Sequence, residues 1–224
     1  MRRNAGSSCV VAFLVLLAGC DHEGTSVTSR VIGSGVVATE SRAVAPFRDL
    51  IVTGPFQVWL YPGAAGTIEI TAEDNVLPLV RAEVRGDRLH LFLADGSLTT
   101  MHGIRVRIAS TDLREIEGSG AAQIELDGLA VEWLETRLSG ASSLVASGRA
   151  DRHELHLSDA SRCRAPHLQS RRVDADFSGA SIGLVAVSES LSVRASGAST
   201  LEYVGDPVLT LDVSGTSVVR RVGP

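Results

Sequence analysis

A short motif built around Ser-Gly-Ala-Ser returns six times in the second half of this 224-residue chain. The first serine of each copy stands at Ser119, Ser139, Ser158, Ser178, Ser196 and Ser214. Successive copies are therefore 20, 19, 20, 18 and 18 residues apart. Repetition at a fixed period near 20 residues is typical of solenoids, in which each repeat forms one coil and buries its apolar side chains against its neighbours. This spacing constrains the fold more than any other feature of the sequence.

Side chains alternate in character in the residues that precede each of these serines. The positions one, three and five before the serine are mostly apolar, and the positions between them are polar. A period of two indicates a β-strand with one buried and one exposed face. About 20 residues cannot hold a strand and a packed crossover helix. We therefore predict an all-β protein in which 116–224 form a right-handed parallel β-helix of about 18–20 residues per coil, the hand following that of parallel crossovers.

The first 20 residues have the pattern of a bacterial lipoprotein signal. Two arginines precede an apolar stretch that is too short to span a membrane. The stretch ends in Leu-Ala-Gly-Cys, which resembles a lipobox and implies cleavage before Cys20 and acylation of its thiol. We predict that 1–19 are removed and that lipidated Cys20 anchors an exported protein to a bacterial membrane, with 20–30 as the anchored cysteine and a polar tether. Asp21 favours retention in the inner membrane, but the membrane and its side stay open.

Composition limits the partners. The formal net charge is −5, lysine is absent, and the arginines are scattered along the strands, so no basic patch for nucleic acid is expected. No cofactor motif occurs.

Once the signal is removed and Cys20 is acylated, Cys163 is the only thiol of the domain, which excludes an intrachain disulfide. Its column holds Ile124 and Leu144, so we interpret it as a buried apolar residue.

Residues 31–115 keep the strand pattern but lose the regular repeat. Strands are expected over 47–52, 56–60, 67–72, 82–84, 89–93 and 104–108. A turn at Gly86-Asp87 between two apolar runs predicts a hairpin. We interpret 73–80 as a connection with one helical turn. The sequence leaves open whether this irregular β part of the domain forms further coils or a sheet that caps the solenoid.

The first half of the chain carries a resemblance to a known family. The residues that carry it are Arg42, Val44, Phe47, Leu50, Val52, Gly54, Phe56, Val58, Leu60, Gly63, Ile68, Ile70, Asn75, Val76, Leu77, Val84, Gly86, Leu89, Leu91, Ile104, Val106, Ile108, Leu113, Ile116, Gly118, Ser119 and Gly120. Their spacing resembles the head GIN domain, also described as a putative auto-transporter adhesin, over about 36–221. The resemblance implies a right-handed parallel β-helix on exported bacterial proteins, often lipoproteins. It implies no established activity and no catalytic residues.

If equivalent residues of successive coils stack, the outward polar residues form columns, and one of these columns is mostly acidic. The column four residues before each serine begins with Glu115, Glu135, Glu154 and Asp174. Like charges directly opposite one another repel, unless neighbours such as Arg137 and Arg194 or a bound cation offset them. A hard cation would suit such an oxygen-only column. The other interpretation, which we favour, is a solvated face with cross-strand ion pairs and no metal.

Two aromatic residues lie on the exposed side of a predicted strand. Trp59 and Tyr61 alternate with the apolar residues of 56–60, so they face away from the core. If the two rings are exposed to solvent, they could stack on a sugar ring. If they are covered, they pack beneath the connection at 73–80, and we favour this covered arrangement.

Function is less constrained than fold. No pair of acids stands out as the two carboxylates of a glycosidase, and the histidines of the third coil fall on opposite faces. We predict a non-catalytic cell-envelope lipoprotein, an adhesin-like surface module that binds glycan or protein. The alternatives are a periplasmic structural or envelope-maintenance lipoprotein and a polysaccharide-cleaving enzyme. Arg220, Arg221 and Pro224 would blunt the last strand edge, which predicts a monomer.

Overall fold

The computed structural model describes residues 30–94 and 98–223. The strands, in chain order, are β1 (Val31–Ile32), β2 (Val37–Ala43), β3 (Asp49–Thr53), β4 (Phe56–Tyr61), β5 (Thr67–Glu73), β6 (Val80–Arg85), β7 (Arg88–Leu93), β8 (Leu98–Thr99), β9 (Ile104–Ala109), β10 (Glu115–Ser119), β11 (Gln123–Leu138), β12 (Ser143–Leu157), β13 (Arg162–Phe177), β14 (Ile182–Ala195), β15 (Thr200–Val204), β16 (Val208–Val213) and β17 (Val218–Arg221). They make up 67% of the structure and wind into a solenoid of about five turns, which confirms the predicted fold class. In the part of the chain described, the only helical element is a 3-10 turn at Leu77–Leu79, and no helix is long and apolar enough to span a membrane.

Parallel pairing of equivalent strands in successive coils builds the solenoid. Strands β11, β12, β13 and β14 pair side by side in that order, and β15 and β16 pair with the two halves of β14. The two halves of β11 pair with different strands, β4 and β10. Each coil therefore adds one segment to each of two sheet faces, and the apolar sides of both faces meet in a single core.

The buried columns follow the repeat. Register aligns Ile124, Leu144, Cys163, Gly183 and Leu201, all of them buried. The predicted burial of Cys163 is thus confirmed. A Cβ on Gly183 would lie 2.4 Å from the ring of Phe177, so the glycine leaves the room that this large side chain fills. Because the core is close-packed, one large residue in a coil requires a small one in the next.

Each Ser-Gly motif forms a corner between the two faces. The glycines there have positive φ, as at Gly140 (67°), a conformation that glycine adopts without strain. The third corner carries Asp159 instead, with φ of 59°, the only non-glycine residue with positive φ among the described residues. Its Oδ2 accepts a hydrogen bond from the backbone N–H of Gly140 at 2.9 Å. This bond to the preceding coil offsets part of the strain of the left-handed conformation.

The N-terminal half contains both arrangements that the sequence left open. Strands β3 and β4 pair in parallel with β10 and β11, so they form a true coil. Strands β7 and β9 add a further parallel layer on the other side of that coil. Strands β2, β5 and β6 pair antiparallel and close this end of the solenoid, β6 in the predicted hairpin with β7. The first coil in the chain is therefore enclosed between layers formed later in the sequence.

The last coil differs from the others. Leu209, Leu211 and Val213 occupy positions that the repeat predicts to be buried, yet they are 40%, 48% and 41% exposed. No strand of the described residues stacks beyond β16 to cover them. On the neighbouring strand, Arg220 is paired with Glu202, so this end of the solenoid presents apolar side chains more than free charge.

Candidate functional site

Two outward sheet faces offer polar side chains to a ligand. The ladder face comprises the outward residues of β7, β3, β10, the second halves of β11 to β14, and β16. The groove face comprises those of β5, β9, β4, the first halves of β11 to β14, β15 and β17. Each predicted candidate lies on one of these faces, except Cys20, which is outside the described residues.

The acidic column lies on the ladder face. Register stacks the four candidates as Glu115, Glu135, Glu154 and Asp174. Asp49 of β3 precedes Glu115, and Arg88 of β7 precedes Asp49, so the column is one acid longer than the sequence indicated. The sequence contained a signal for the place of Asp49 in this column, because Asp49 stands four residues before Thr53-Gly54, which occupies the place of a Ser-Gly corner.

Arginines neutralise most of the acidic column. The ion pairs are Arg88 with Glu115 (3.0 Å), Arg137 with both Glu115 and Glu135, and Arg152 with both Glu154 (2.9 Å) and Asp174 (3.0 Å). Arg137 was expected in this role. Arg194 was expected too, but it makes no ion pair with any described residue. Arg137 and Arg152 thus clamp adjacent coils, Arg88 reaches across β3 to Glu115, and the four candidates act together as a structural ladder.

One cluster on this face has the composition of a cation site. Ligand atoms of Glu135, Glu154 and His156 lie within 4.8 Å of one another. Two of the three already contact a guanidinium, Glu135 through Arg137 and Glu154 through Arg152. A divalent ion would have to displace both guanidinium groups, so the donor set fits ion pairing better than metal binding.

The aromatic candidates lie on the groove face. Trp59 is 36% exposed and Tyr61 42% exposed. The favoured expectation that 73–80 covers them is wrong. Val76 and Leu77 of that connection are instead buried in the core beside the antiparallel cap, because apolar side chains there gain more from burial than from lying over an aromatic surface.

A groove of about 460 Å³ opens beside the two aromatic rings. Strand β9 forms one wall with Arg105 and Arg107, since it pairs with β4 and sets Arg107 beside Trp59. The guanidinium of Arg107 lies 5.7 Å from the centre of the Tyr61 ring, a cation–π contact. Both arginines alternate with buried residues in β9, so the sequence showed them as exposed. It did not show that they flank Trp59.

Strand β11 forms the opposite wall. The indole N–H of Trp59 donates to Glu125 at 2.7 Å, which fixes the plane of the ring. Asp127 accepts a hydrogen bond from the hydroxyl of Ser147 at 2.6 Å. The groove therefore has an aromatic floor, cationic side chains along one wall and carboxylates along the other.

A second depression of about 250 Å³ continues on the other side of Trp59. Gln57, Gln123 and Ser143 line it, together with Val145 and the carboxylate of Glu125. Amides and hydroxyls both donate and accept hydrogen bonds, as sugar hydroxyls do. The two depressions form a continuous polar surface with the indole at its centre.

Comparison with protein families identifies the chain. The family described as "Putative auto-transporter adhesin, head GIN domain" matches residues 46–207. The chain belongs to this family. The resemblance inferred from the sequence is thereby confirmed. A comparison with curated proteins finds none that matches.

Solved structures share the fold of this head GIN domain. A putative adhesin from Bacteroides fragilis is 18% identical with a TM-score of 0.70, over 86% of this chain and 100% of its own. Putative adhesins from Parabacteroides distasonis (16%, TM-score 0.57, 87% and 100%) and Parabacteroides merdae (17%, 0.56, 87% and 99%) are also similar. At these identities the likeness concerns the fold alone.

Two buried titratable groups of this head GIN domain, His153 and Cys163, do not line the groove. His153 points into the core, where burial lowers its pKa from 6.5 to about 4, and its Nε2 lies 3.1 Å from the hydroxyl oxygen of Thr136. Burial raises the pKa of the Cys163 thiol to about 12, which keeps it protonated and unreactive. His156, on the same strand as His153, points outward to the ladder face, so the two imidazoles do not converge.

Proposed function

We propose that this protein is a non-catalytic binding module of the bacterial cell envelope whose groove face binds glycan. The observation that carries the proposal is the exposed pair Trp59 and Tyr61 beside a groove of about 460 Å³. Exposed aromatic rings next to hydrogen-bonding side chains suit the apolar face and the hydroxyls of a sugar. Membership of an adhesin-like family supports a binding role and an envelope or extracellular location.

The ladder face supports binding over glycan cleavage. A glycosidase needs two carboxylates that face each other across the bond to be cleaved. The ladder acids are instead stacked along one surface and paired with arginines of their own or adjacent coils. On the groove face, Glu125 and Asp127 stand on the same wall, so they do not face each other across the groove.

Lipid anchoring through Cys20 remains part of the proposal. Cys20 lies outside the described residues, and the support comes from the lipobox pattern of the sequence. Labelling of cells with an alkyne fatty acid should tag the wild-type protein and not Cys20→Ala. Labelling of the variant would exclude this anchor. Protease treatment of intact and permeabilised cells would then separate surface exposure from a periplasmic location.

Binding of the full-length protein to a glycan array tests the central role of the groove. Trp59→Ala should abolish the signals that wild type gives. Trp133→Ala is the control, because Trp133 is a half-buried tryptophan on β11 that does not line the groove. Retained binding by Trp59→Ala, or sugar release in place of binding, would contradict the proposal.

A further inference from the structure

The arginines of the groove differ from those of the ladder in their partners. Neither Arg105 nor Arg107 forms an ion pair with any described residue, and both are exposed. The cross-strand neighbours of Arg105 explain this for Arg105. Arg105 pairs with Thr71 and with Gln57. Arg107 stands between Trp59 of β4 and Glu69 of β5, and the carboxylate of Glu69 does not come within ion-pair distance.

The guanidinium of Arg107 is held in place without an anion. Its contact with the face of the Tyr61 ring orients it, and its N–H groups donate no side-chain hydrogen bond to any described residue. An oriented guanidinium with free N–H donors matches the two oxygens of a carboxylate. Two such groups two residues apart on β9 lie on the same side of the strand, so both reach the groove.

The opposite wall disfavours a ligand that is anionic throughout. Glu125 and Asp127 repel a second anionic group, but their remaining oxygen atoms can accept hydrogen bonds from hydroxyls. The second depression is lined by Gln57, Gln123 and Ser143 and by the carboxylate of Glu125, and its lining includes no arginine that could pair with a second anionic group. The surface is therefore matched to a ligand with one anionic group at β9 and neutral hydroxyls elsewhere.

We propose that the groove binds a glycan that contains a uronic acid unit. The carboxylate of that unit binds Arg105 and Arg107, its ring packs against Trp59 and Tyr61, and its hydroxyls donate to Asp127. A neutral neighbouring sugar extends past the indole to Gln57 and Gln123. This inference rests on the proposed function and specifies the ligand class of the same site.

Matched pairs of oligosaccharides test it. Calorimetric titration of the full-length protein would compare glucuronate-, galacturonate- and mannuronate-containing oligosaccharides with their carboxyl-reduced counterparts. At least one acid should bind about tenfold or more tightly than its reduced form, because reduction removes the charge that strengthens its hydrogen bonds to the two guanidinium groups. This preference should weaken as salt is added.

Variants of the groove distinguish recognition of the carboxylate of the acidic unit from binding of the rest of the glycan. Arg105→Gln and Arg107→Gln should each weaken binding of the acid by a larger factor than binding of the reduced form, so that most of the preference for the acid is lost. Arg164→Gln is the matched control, because Arg164 is exposed on the same face but outside the groove. Trp59→Ala should weaken both forms equally.

The two proposals fail in different ways. Equal binding of every acid and its reduced form, with both lost in Trp59→Ala, would overturn the uronate assignment and keep the glycan-binding groove. Binding of a sulfated oligosaccharide but of no uronate would also overturn it. Absence of binding to all the oligosaccharides, or binding unaffected by Trp59→Ala, would overturn both.

Discussion

The two faces of the solenoid use arginine in opposite ways. On the ladder face, Arg137 and Arg152 contact acids of their own and adjacent coils, and Arg88 reaches Glu115 two strands away. On the groove face, Arg105 and Arg107 have no carboxylate partner among the described residues. Arginine therefore clamps coils on the ladder face, and at Arg220 in the last coil of the groove face, whereas Arg105 and Arg107 are available to a ligand. In a repeat protein, function is indicated where a charged side chain departs from the pairing that the repeat provides.

Register is the physical source of the difference. Regular coils place equivalent residues side by side, so acids and arginines of the repeat meet their counterparts in every coil. Strand β9 belongs to the irregular part: β4 offers it Gln57 and Trp59 instead of acids, and on its other side β5 places Glu69 opposite Arg107 but outside ion-pair distance. Arg194 is an exception on the ladder face, since it makes no ion pair with any described residue although its cross-strand neighbours are Asp176 and Asp212.

The largest loss of stability is expected from a substitution at Gly148, which lies at a bend between the two faces. Gly148 has φ of 122°, and a Cβ there would lie 2.1 Å from the carbonyl oxygen of Leu129. Gly148→Ala should lower the free energy of unfolding by about 3 kcal/mol or more, because backbone cannot move aside as a side chain can. Gly86→Ala is the control, with φ of 62° and no neighbouring atom within 4 Å, and it should cost about 1 kcal/mol. Equal losses in urea denaturation would contradict close stacking of the coils.

Acid should weaken the core behind the ladder face. His153 is neutral in the folded state because burial lowers its pKa to about 4, below its value of 6.5 when exposed. As the pH falls, the imidazole of His153 is therefore protonated in the unfolded chain before it is protonated in the folded one. The folded state loses stability as the pH falls from about 6.5 toward 4. Between pH 7 and pH 5 the loss should be about 2 kcal/mol.

Urea denaturation at both pH values measures this loss. His153→Gln should show a much smaller difference between pH 7 and pH 5. His156→Gln, which changes the outward histidine of the same strand, should retain the wild-type difference. An unchanged pH dependence in His153→Gln would exclude the buried histidine as its cause.

Removal of one arginine from each face measures their different roles in stability. Arg137→Met leaves Glu115 and Glu135, both mostly buried, without their shared partner. We expect a loss of about 1.5 kcal/mol, below the 3–5 kcal/mol of fully buried pairs because Arg137 is half-exposed. Arg105→Met should change stability by less than about 0.5 kcal/mol. If both variants lose the same amount, the two faces do not differ as described.

The smallest effect should come from the third corner. Asp159→Gly relieves the left-handed strain but removes the acceptor for the N–H of Gly140, so the net change should be below about 0.5 kcal/mol. Asp159→Ala keeps the strain and removes the acceptor, and it should cost about 1 kcal/mol more than the glycine variant. Thermal unfolding of the pair decides this. A glycine variant less stable than the alanine variant would show that strain is not the main term.

The sequence predicted the regular part of the molecule well. The Ser-Gly spacing was sufficient to align Glu115, Glu135, Glu154 and Asp174, because each coil repeats the environment of the last. It could not predict that the β3–β4 coil lies between strands that follow it in the chain, since pairing out of sequence order depends on long-range contacts. That pairing creates the groove. The aromatic pair could be found from alternation, but its arginine neighbours could not.

Hydrogen exchange with and without a uronate-containing oligosaccharide tests most directly whether ligand binds the groove face. If the groove is the site, amides of 57–61, 104–109 and 123–127 should exchange more slowly with ligand. Those of 135–138 and 154–157, on the ladder face, should be unchanged. Protection confined to the ladder segments, or spread equally over both faces, would contradict the assignment of binding to the groove.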